Sequence, residues 1–158
     1  MDGISRSQVS RLSQGLSAIV EEWRQQSLHD EPIVYLWLDG TTLKVRANER
    51  VVSVTAVVAM GVTADGRRTI LGFAVGAAES GAFWLSFLRS LVARGLHGVL
   101  LVISDAHEGP KEAIAATISD ATWQRCRVHY MRNVLGRVKK GDTDEVMNAI
   151  RRYRIYRT

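Results

Sequence analysis

One cysteine, two prolines and no apolar run of bilayer-spanning length are the scarcities that first bound this sequence. The lone Cys126 excludes an intramolecular disulfide, and Met1-Asp2-Gly3 does not open a signal peptide, so a reducing cytosol is the expected setting. No stretch approaches the roughly 18 consecutive apolar residues of a transmembrane helix, and no membrane contact is expected. Repeats and low-complexity tracts are also missing, which excludes solenoids and disordered arrays. Acidic residues are the minority charge: 16 Asp and Glu against 21 Lys and Arg leave a formal +5. That imbalance suits a polyanionic partner, because Lys and Arg gain affinity by releasing counterions from phosphates. What remains is a 158-residue chain, 46% hydrophobic, able to bury one sizeable core with an appendage.

The appendage comes first. Val9, Leu12, Leu16, Ile19, Val20 and Trp23 follow the three-and-four spacing of one helical face, predicting one long helix or two short ones over Ser7 to Arg24. Gly3-Ile4 reads as a turn and Ser5 to Leu12 as a capped helix start exposing Arg6, Gln8 and Arg11, the residue types with which a helix-turn-helix reaches bases and phosphates. A solvated amphipathic helix explains the same residues. His29-Asp30-Glu31-Pro32 reads as a linker.

Beyond it the chain turns apolar and β-branched. Ile33 to Leu38 is of strand length and is expected to end on a turn at Asp39-Gly40-Thr41. Lys44-Val45-Arg46 and Val51 to Met60 form the arms of a hairpin with Asn48-Glu49-Arg50 at its tip. Ala64-Asp65-Gly66-Arg67 turns into a third strand, Thr69 to Val75, where Asp-Gly suits positive backbone angles. Glu79-Ser80 then precedes a helix through Phe83, Trp84, Phe87, Leu88, Leu91 and Val92 that stops at Arg94-Gly95. Val99 to Ile103 is a short buried strand ending on Ser104-Asp105. Gly109-Pro110 introduces a helix over Lys111 to Ile118. Thr122 to Val128 is a strand, and from Tyr130 a basic helix runs through Met131, Val134, Leu135 and Val138. The expected order is three antiparallel strands, then helix, strand, helix, strand, helix.

Two strands ending in aspartate, at Leu38-Asp39 and Ser104-Asp105, carry the chemistry. If the first and fourth strands are neighbours, the two carboxylates meet at one edge and can share hard divalent cations such as Mg²⁺ or Mn²⁺, which keep waters and leave room for a phosphate. Two such ions stabilise the attacking and leaving oxygens of an in-line displacement at phosphorus. The order of elements and the acid placement match an α/β, ribonuclease-H-like mixed sheet. Strand-terminal aspartates also simply cap turns.

The strings Tyr35-Leu36-Trp37-Leu38-Asp39-Gly40-Thr41, Glu79-Ser80-Gly81-Ala82-Phe83-Trp84, Val102-Ile103-Ser104-Asp105-Ala106-His107-Glu108-Gly109 and Arg125-Cys126-Arg127-Val128-His129-Tyr130-Met131-Arg132-Asn133 together resemble the Mutator-type transposases of bacterial insertion sequences. The resemblance covers about Ile4 to Val146. It implies DNA transposition by metal-dependent cleavage and strand transfer at element ends, with Asp39 and Asp105 as the first two acids of a catalytic triad. It also implies that Cys126 and His129 are the family's Cys-x-x-His motif. The implied partners are double-stranded DNA, both terminal inverted repeats and target, and further copies of the full-length protein as a homo-oligomer. The implied location is cytoplasmic, nucleoid-associated when DNA-bound.

The family's third acid, a Glu beyond a long helical insertion, has no counterpart here, and Arg151 to Thr158 does not look like the family's continuation. The expectation is a truncated or frameshifted remnant: residues 1–30 the end of a helical DNA-binding region, 31–140 the N-terminal part of the catalytic core, 141–158 the start of the insertion. The family reading is an enzyme; for these residues alone the expectation is an inactive fragment that binds DNA or partner transposase. A nuclease completing its site with Glu79 or Glu145 is the third reading.

The other residues keep two readings each. Glu79 either adds a metal ligand or favours the positive end of a helix dipole. His107 and Glu108 touch a phosphate or second metal, or belong to a polar loop. Cys126 and His129 cannot make a four-ligand zinc site with one cysteine, and a packing role is the simpler one. Trp37, Trp84 and Trp123 are expected in the core. Arg125, Arg127, Arg132, Arg137, Lys139 and Lys140 face either phosphates or solvent.

Overall fold

The computed structural model describes residues 5–47 and 49–155. The turn expected at Gly3-Ile4 and the hairpin-tip residue Asn48 lie outside the described residues. The amphipathic stretch is one helix, α1 (Arg6–Gln25). Ser5 starts it with a reciprocal cap: its Oγ accepts from the Gln8 amide at 3.3 Å, and its own amide donates to Gln8 Oε1 at 2.8 Å. The apolar stripe Val9, Leu12, Leu16 and Ile19 stays exposed along the helix. Only the C-terminal turn docks, where Trp23 stacks on Phe73 with ring centroids 5.9 Å apart. The segment that follows is tied down by Arg94, whose Nε donates to the Gln26 carbonyl at 2.8 Å and Nη1 to the Leu71 carbonyl at 2.7 Å. Burial, with Arg24 nearby, lowers the Arg94 guanidinium below its ordinary value.

Five strands form one mixed sheet in the order β3-β2-β1-β4-β5: β1 (Ile33–Ala47), β2 (Arg50–Thr63), β3 (Arg68–Gly76), β4 (Leu101–Ser104) and β5 (Thr122–Arg125). The first three are antiparallel, while β4 pairs parallel to β1 and β5 parallel to β4. That order and those directions make a ribonuclease-H-like sheet, as the order of elements suggests. One expectation fails locally. Asp39-Gly40-Thr41 is no turn, and β1 continues through it in unbroken register with β2 as far as Ala47. The flanking Thr, Leu and Val favour extended backbone, and Gly40 serves close packing instead of a bend. A Cβ there would lie 3.2 Å from Glu79 Oε1 and 3.3 Å from the Trp84 ring.

Helices α2 (Gly81–Ala93) and α3 (Glu108–Thr117) cover one face of the sheet. Ser80 caps α2 by accepting from the Phe83 amide at 3.2 Å. Trp84, Phe87, Leu88 and Leu91 of α2 meet Leu36, Leu38, Val57, Ala59 and Val102 of the sheet, all buried. Strict alternation puts those sheet residues inward and their neighbours Trp37, Val58, Met60 and Ile103 on the other face, where they are half-buried. Trp37 is therefore not a core residue, in contrast to Trp84. α3 begins three residues earlier than its pattern predicts, because Gly109 and Pro110 sit within its first turn, where a missing amide proton costs nothing. The expected strand Thr122 to Val128 ends at Arg125, and α4 (Arg127–Leu135) starts at once with Cys126 as its cap residue. A 3-10 turn, Lys140–Asp142, leads into α5 (Thr143–Ile155).

Two glycines should respond oppositely to alanine. Gly95 holds φ +101° and its Cβ would meet His29 Nδ1 at 2.8 Å, so Gly95→Ala should destabilise by more than about 1 kcal/mol. Gly15, inside α1, has nothing within 4 Å of its Cβ, so Gly15→Ala should stabilise the helix by up to about 1 kcal/mol. Urea denaturation of both variants checks the two signs.

Candidate active site

The parallel join between β1 and β4 sets the geometry. Tyr35 pairs with Leu101, Leu36 with Val102 and Trp37 with Ile103, so two residues further on Asp39 and Asp105 leave their pairs at the same level. Neighbouring strands lie about 4.8 Å apart. Alternation places both aspartates on the face opposite α2 and α3. Asp39 is mid-strand, at the point where β4 stops pairing with β1, and its side chain is 66% exposed. Asp105 follows the last residue of β4 and is 28% exposed.

Each carboxylate has a histidine beside it. His129 Nε2 stands 3.6 Å from Asp39 Oδ1, and His107 Nε2 stands 3.6 Å from Asp105 Oδ2. His129 belongs to the first turn of α4, and its ring is 20% exposed, with Nδ1 buried and lacking a hydrogen-bond partner. Because Cys126 caps that same helix, the Cys-x-x-His stretch bends at a strand-to-helix junction and both residues line one groove. His107, in contrast, is an exposed cap residue of α3. Asp105 is oriented from its own backbone: Oδ1 accepts from the Ala106 amide at 2.7 Å. Its carbonyl accepts from Ser104 Oγ at 2.9 Å, and that hydroxyl in turn accepts from Trp123 Nε1 at 2.9 Å. Ser104 is thus a buried polar anchor that reads, from sequence, as an ordinary strand residue.

A groove of about 670 Å³ opens beside Asp39, between α4 and the uncovered sheet face. Trp37, Met60 and Ile70 supply an apolar floor, and Arg132 and His129 a polar wall. The alternation of Tyr35, Trp37 and Asp39 against Leu36 and Leu38 is the available signal for this floor. A fully apolar strand hides which of its faces is covered.

The remaining candidates separate. Glu79 accepts from Trp84 Nε1 at 3.1 Å and lies against Gly40, one residue from Asp39. Glu108 pairs with Lys111 at 3.0 Å on the surface of α3. Arg125 stacks over Tyr130 with its guanidinium carbon 5.3 Å from the ring centroid, and its Nε is buried without a partner. Arg127 is exposed on α4. Arg6, Gln8 and Arg11 sit exposed at the far end of α1, which reaches the sheet through β3, the edge strand opposite β5. Gln8 is also engaged in its helix cap. Glu145 lies on α5, exposed.

Carboxylate oxygens are the hard donors that Mg²⁺ or Mn²⁺ takes, and Asp39 and Asp105 fit such an ion as part of a ligand set. Among the described residues no group of three or more His, Cys, Asp or Glu converges on one point. Among them, too, no helix is long and apolar enough to cross a membrane.

Known proteins give the pattern a family. The family described as "Transposase, Mutator family" matches residues 1–158. The transposase for insertion sequence element IS1081 of Mycobacterium tuberculosis is 50% identical over 137 residues, covering 87% of this chain and 33% of that protein. The transposase for insertion sequence element IS256 in transposon Tn4001 of Staphylococcus aureus is 38% identical over 148 residues, covering 94% of this chain and 38% of that protein. Among solved structures, the Drosophila P element transposase strand transfer complex aligns with a TM-score of 0.48 at 14% identity, over 84% of this chain and 37% of that one. The chain thus spans about a third of the length of the curated relatives it matches. With a family match over its whole length, two neighbouring strands that carry Asp39 and Asp105 side by side, and relatives at up to half identity, this chain belongs to the Mutator family of transposases.

Proposed function

We propose that this chain supplies the N-terminal part of a transposase's catalytic core, and that Asp39 and Asp105 hold the divalent metal with which the whole protein cuts and joins DNA. The observation that carries the reading is the level placement of the two aspartates on adjacent parallel strands, on the uncovered face of the sheet. On this reading residues 31–140 belong to the catalytic core, 1–30 end the DNA-binding region and 141–158 begin a helical insertion, for which the helicity of α5 is the support. The third acid comes from a part of the protein outside this sequence. Completing the site with Glu79 has a competing fact against it, since that carboxylate is already engaged by the Trp84 indole.

The reaction is phosphodiester hydrolysis followed by transesterification. Water attacks the phosphorus at an element end, and the 3′-oxygen leaves and takes up a proton. The freed 3′-hydroxyl then attacks a target phosphodiester, loses its proton, and displaces a second 3′-oxygen. When bound, Mg²⁺ or Mn²⁺ supplies charge stabilisation to attacking and leaving oxygens. The residues of this chain hold and orient. Asp105 is steered by the Ala106 amide, and His129 limits the swing of the exposed Asp39 carboxylate. Arg132, in the groove beside Asp39, faces the phosphate backbone of double-stranded DNA. Further copies of the protein join it on the DNA in a homo-oligomer.

Metal binding tests the site without requiring turnover. Titration of this chain with Mn²⁺, followed by calorimetry or by the electron paramagnetic resonance of the free ion, should show weak binding that Asp39→Asn and Asp105→Asn each reduce by about 10-fold or more. Binding indifferent to both substitutions would remove the assignment. A second expectation concerns the protein extended to the length of its relatives. It should nick and join duplexes bearing its own terminal repeats in Mg²⁺, and Asp39→Ala should abolish that activity, while these 158 residues alone should not cleave. Cleavage by the short chain that disappears in Asp39→Ala would instead bring Glu79 into the ligand set.

A further inference from the structure

The hairpin of β1 and β2 outruns the sheet that supports it. β4 pairs only with Tyr35 to Trp37 of β1, and β3 only with Thr55 to Val62 of β2. Past those limits, Leu43 to Ala47 and Arg50 to Val54 pair with each other alone, as a two-stranded ribbon. At about 3.3 Å per residue, its end stands about 25 Å beyond Asp39 along the strand.

The register sorts its side chains onto two faces. Lys44 lies opposite Ser53 and Arg46 opposite Val51 on one face; Leu43 lies opposite Val54 and Val45 opposite Val52 on the other. Lys44, Arg46, Ser53 and Arg50 are exposed, and so are Leu43, Val45, Val51 and Val52. Among the described residues Lys44, Arg46 and Arg50 make no ion pair. A bare two-stranded ribbon is at best marginally stable in water. This one calls for a partner that accepts cations and runs past Asp39.

We propose that the ribbon is a DNA arm: Leu43 to Ala47 and Arg50 to Val54 lie along a groove of the duplex flanking the phosphate at Asp39 and Asp105, with Lys44 and Arg46 on backbone phosphates. The proposal rests on the catalytic reading above, because the ribbon springs from the strand that bears Asp39. A duplex whose phosphate reaches that carboxylate runs beside the ribbon. The major groove, about 12 Å wide, admits a two-stranded β-ribbon. Ser53, level with Lys44, adds a hydroxyl of the kind that donates to phosphate oxygens.

The test is duplex binding by this chain, followed by fluorescence anisotropy across a salt series. Each phosphate neutralised by the protein contributes about 0.9 to the slope of log affinity against log salt, so Lys44→Ala/Arg46→Ala should lower it by about 1.8. The charge-matched control Arg68→Ala/Arg89→Ala removes one cation from the opposite end of β3 and one from α2, and should leave the slope close to that of the unmodified chain. The charge-keeping pair Lys44→Arg/Arg46→Lys should retain it too, which separates phosphate binding from structural damage. Equal reductions in ribbon and control variants would reduce the effect to net charge and overturn the proposal. An unchanged slope in Lys44→Ala/Arg46→Ala, with self-association abolished in Val45→Lys, would give the ribbon to a second copy and overturn it while leaving the catalytic reading in place. No DNA binding by the unmodified chain would sink both.

Discussion

Three Cα pairs between β1 and β4 hold the whole arrangement. Leu36 and Val102 are fully buried under α2 and α3, and Leu38 nearly so, which locks the pleat of both strands. Side chains alternate with a period of two, so a one-residue slip of either strand would send its aspartate under the helices and expose its core residues. Burying an unpaired carboxylate there would cost several kcal/mol in place of the gain from burying leucine and valine. The same hydrophobic contacts that stabilise the domain therefore place Asp39 and Asp105 on one face, level with each other. A site built on paired strands is held more firmly than one built on loops.

The helices reinforce that register from one side only. α2 and α3 touch through glycines at their starts: a Cβ on Gly109 would meet Gly81 backbone at 3.3 Å. That close approach seats Trp84 beneath Gly40 and brings Glu79 beside the strand carrying Asp39. The opposite face carries only α4, and Met60, Trp37 and Ile70 remain open to the groove. Apolar surface gathered beside convergent polar groups marks a binding region more often than a defect. Here it borders the two carboxylates.

Much of this is legible in the residues. Element order, the Ser80 and Gly95 boundaries of α2 and the pairing of the two aspartate-bearing strands follow from periodicity, capping and β-branched content. What misleads is glycine. Gly40 after an aspartate has the local signature of a turn, yet its role is to admit the Trp84 ring and Glu79, a tertiary demand that no local pattern records. Gly109-Pro110 likewise reads as a boundary and is instead the first turn of α3. Trp37 reads as core because an apolar strand does not reveal that only one of its faces is covered. Cys126 and His129 depend on where β5 ends, and a shift of three residues, from Val128 to Arg125, changes a strand pair into a helix start.

A single strand links these features. Within β1, Leu36 and Leu38 bind it to the core, Asp39 faces the groove, Gly40 accepts the helix, and Leu43 to Ala47 extend outward with β2. The rise per residue is nearly constant at about 3.3 Å, so the interval from Asp39 to Lys44 is about 16 Å along an unbroken ladder. A loop between them would let the cations drift relative to the carboxylate, and each degree of freedom frozen on binding would subtract from affinity. The continuous ladder removes that freedom before any ligand arrives. Had Asp39-Gly40-Thr41 been a turn, the carboxylate would have kept its place at the sheet edge but not its fixed relation to everything beyond it. The continuity of β1 through Gly40 is what makes core, carboxylate and ribbon one rigid unit.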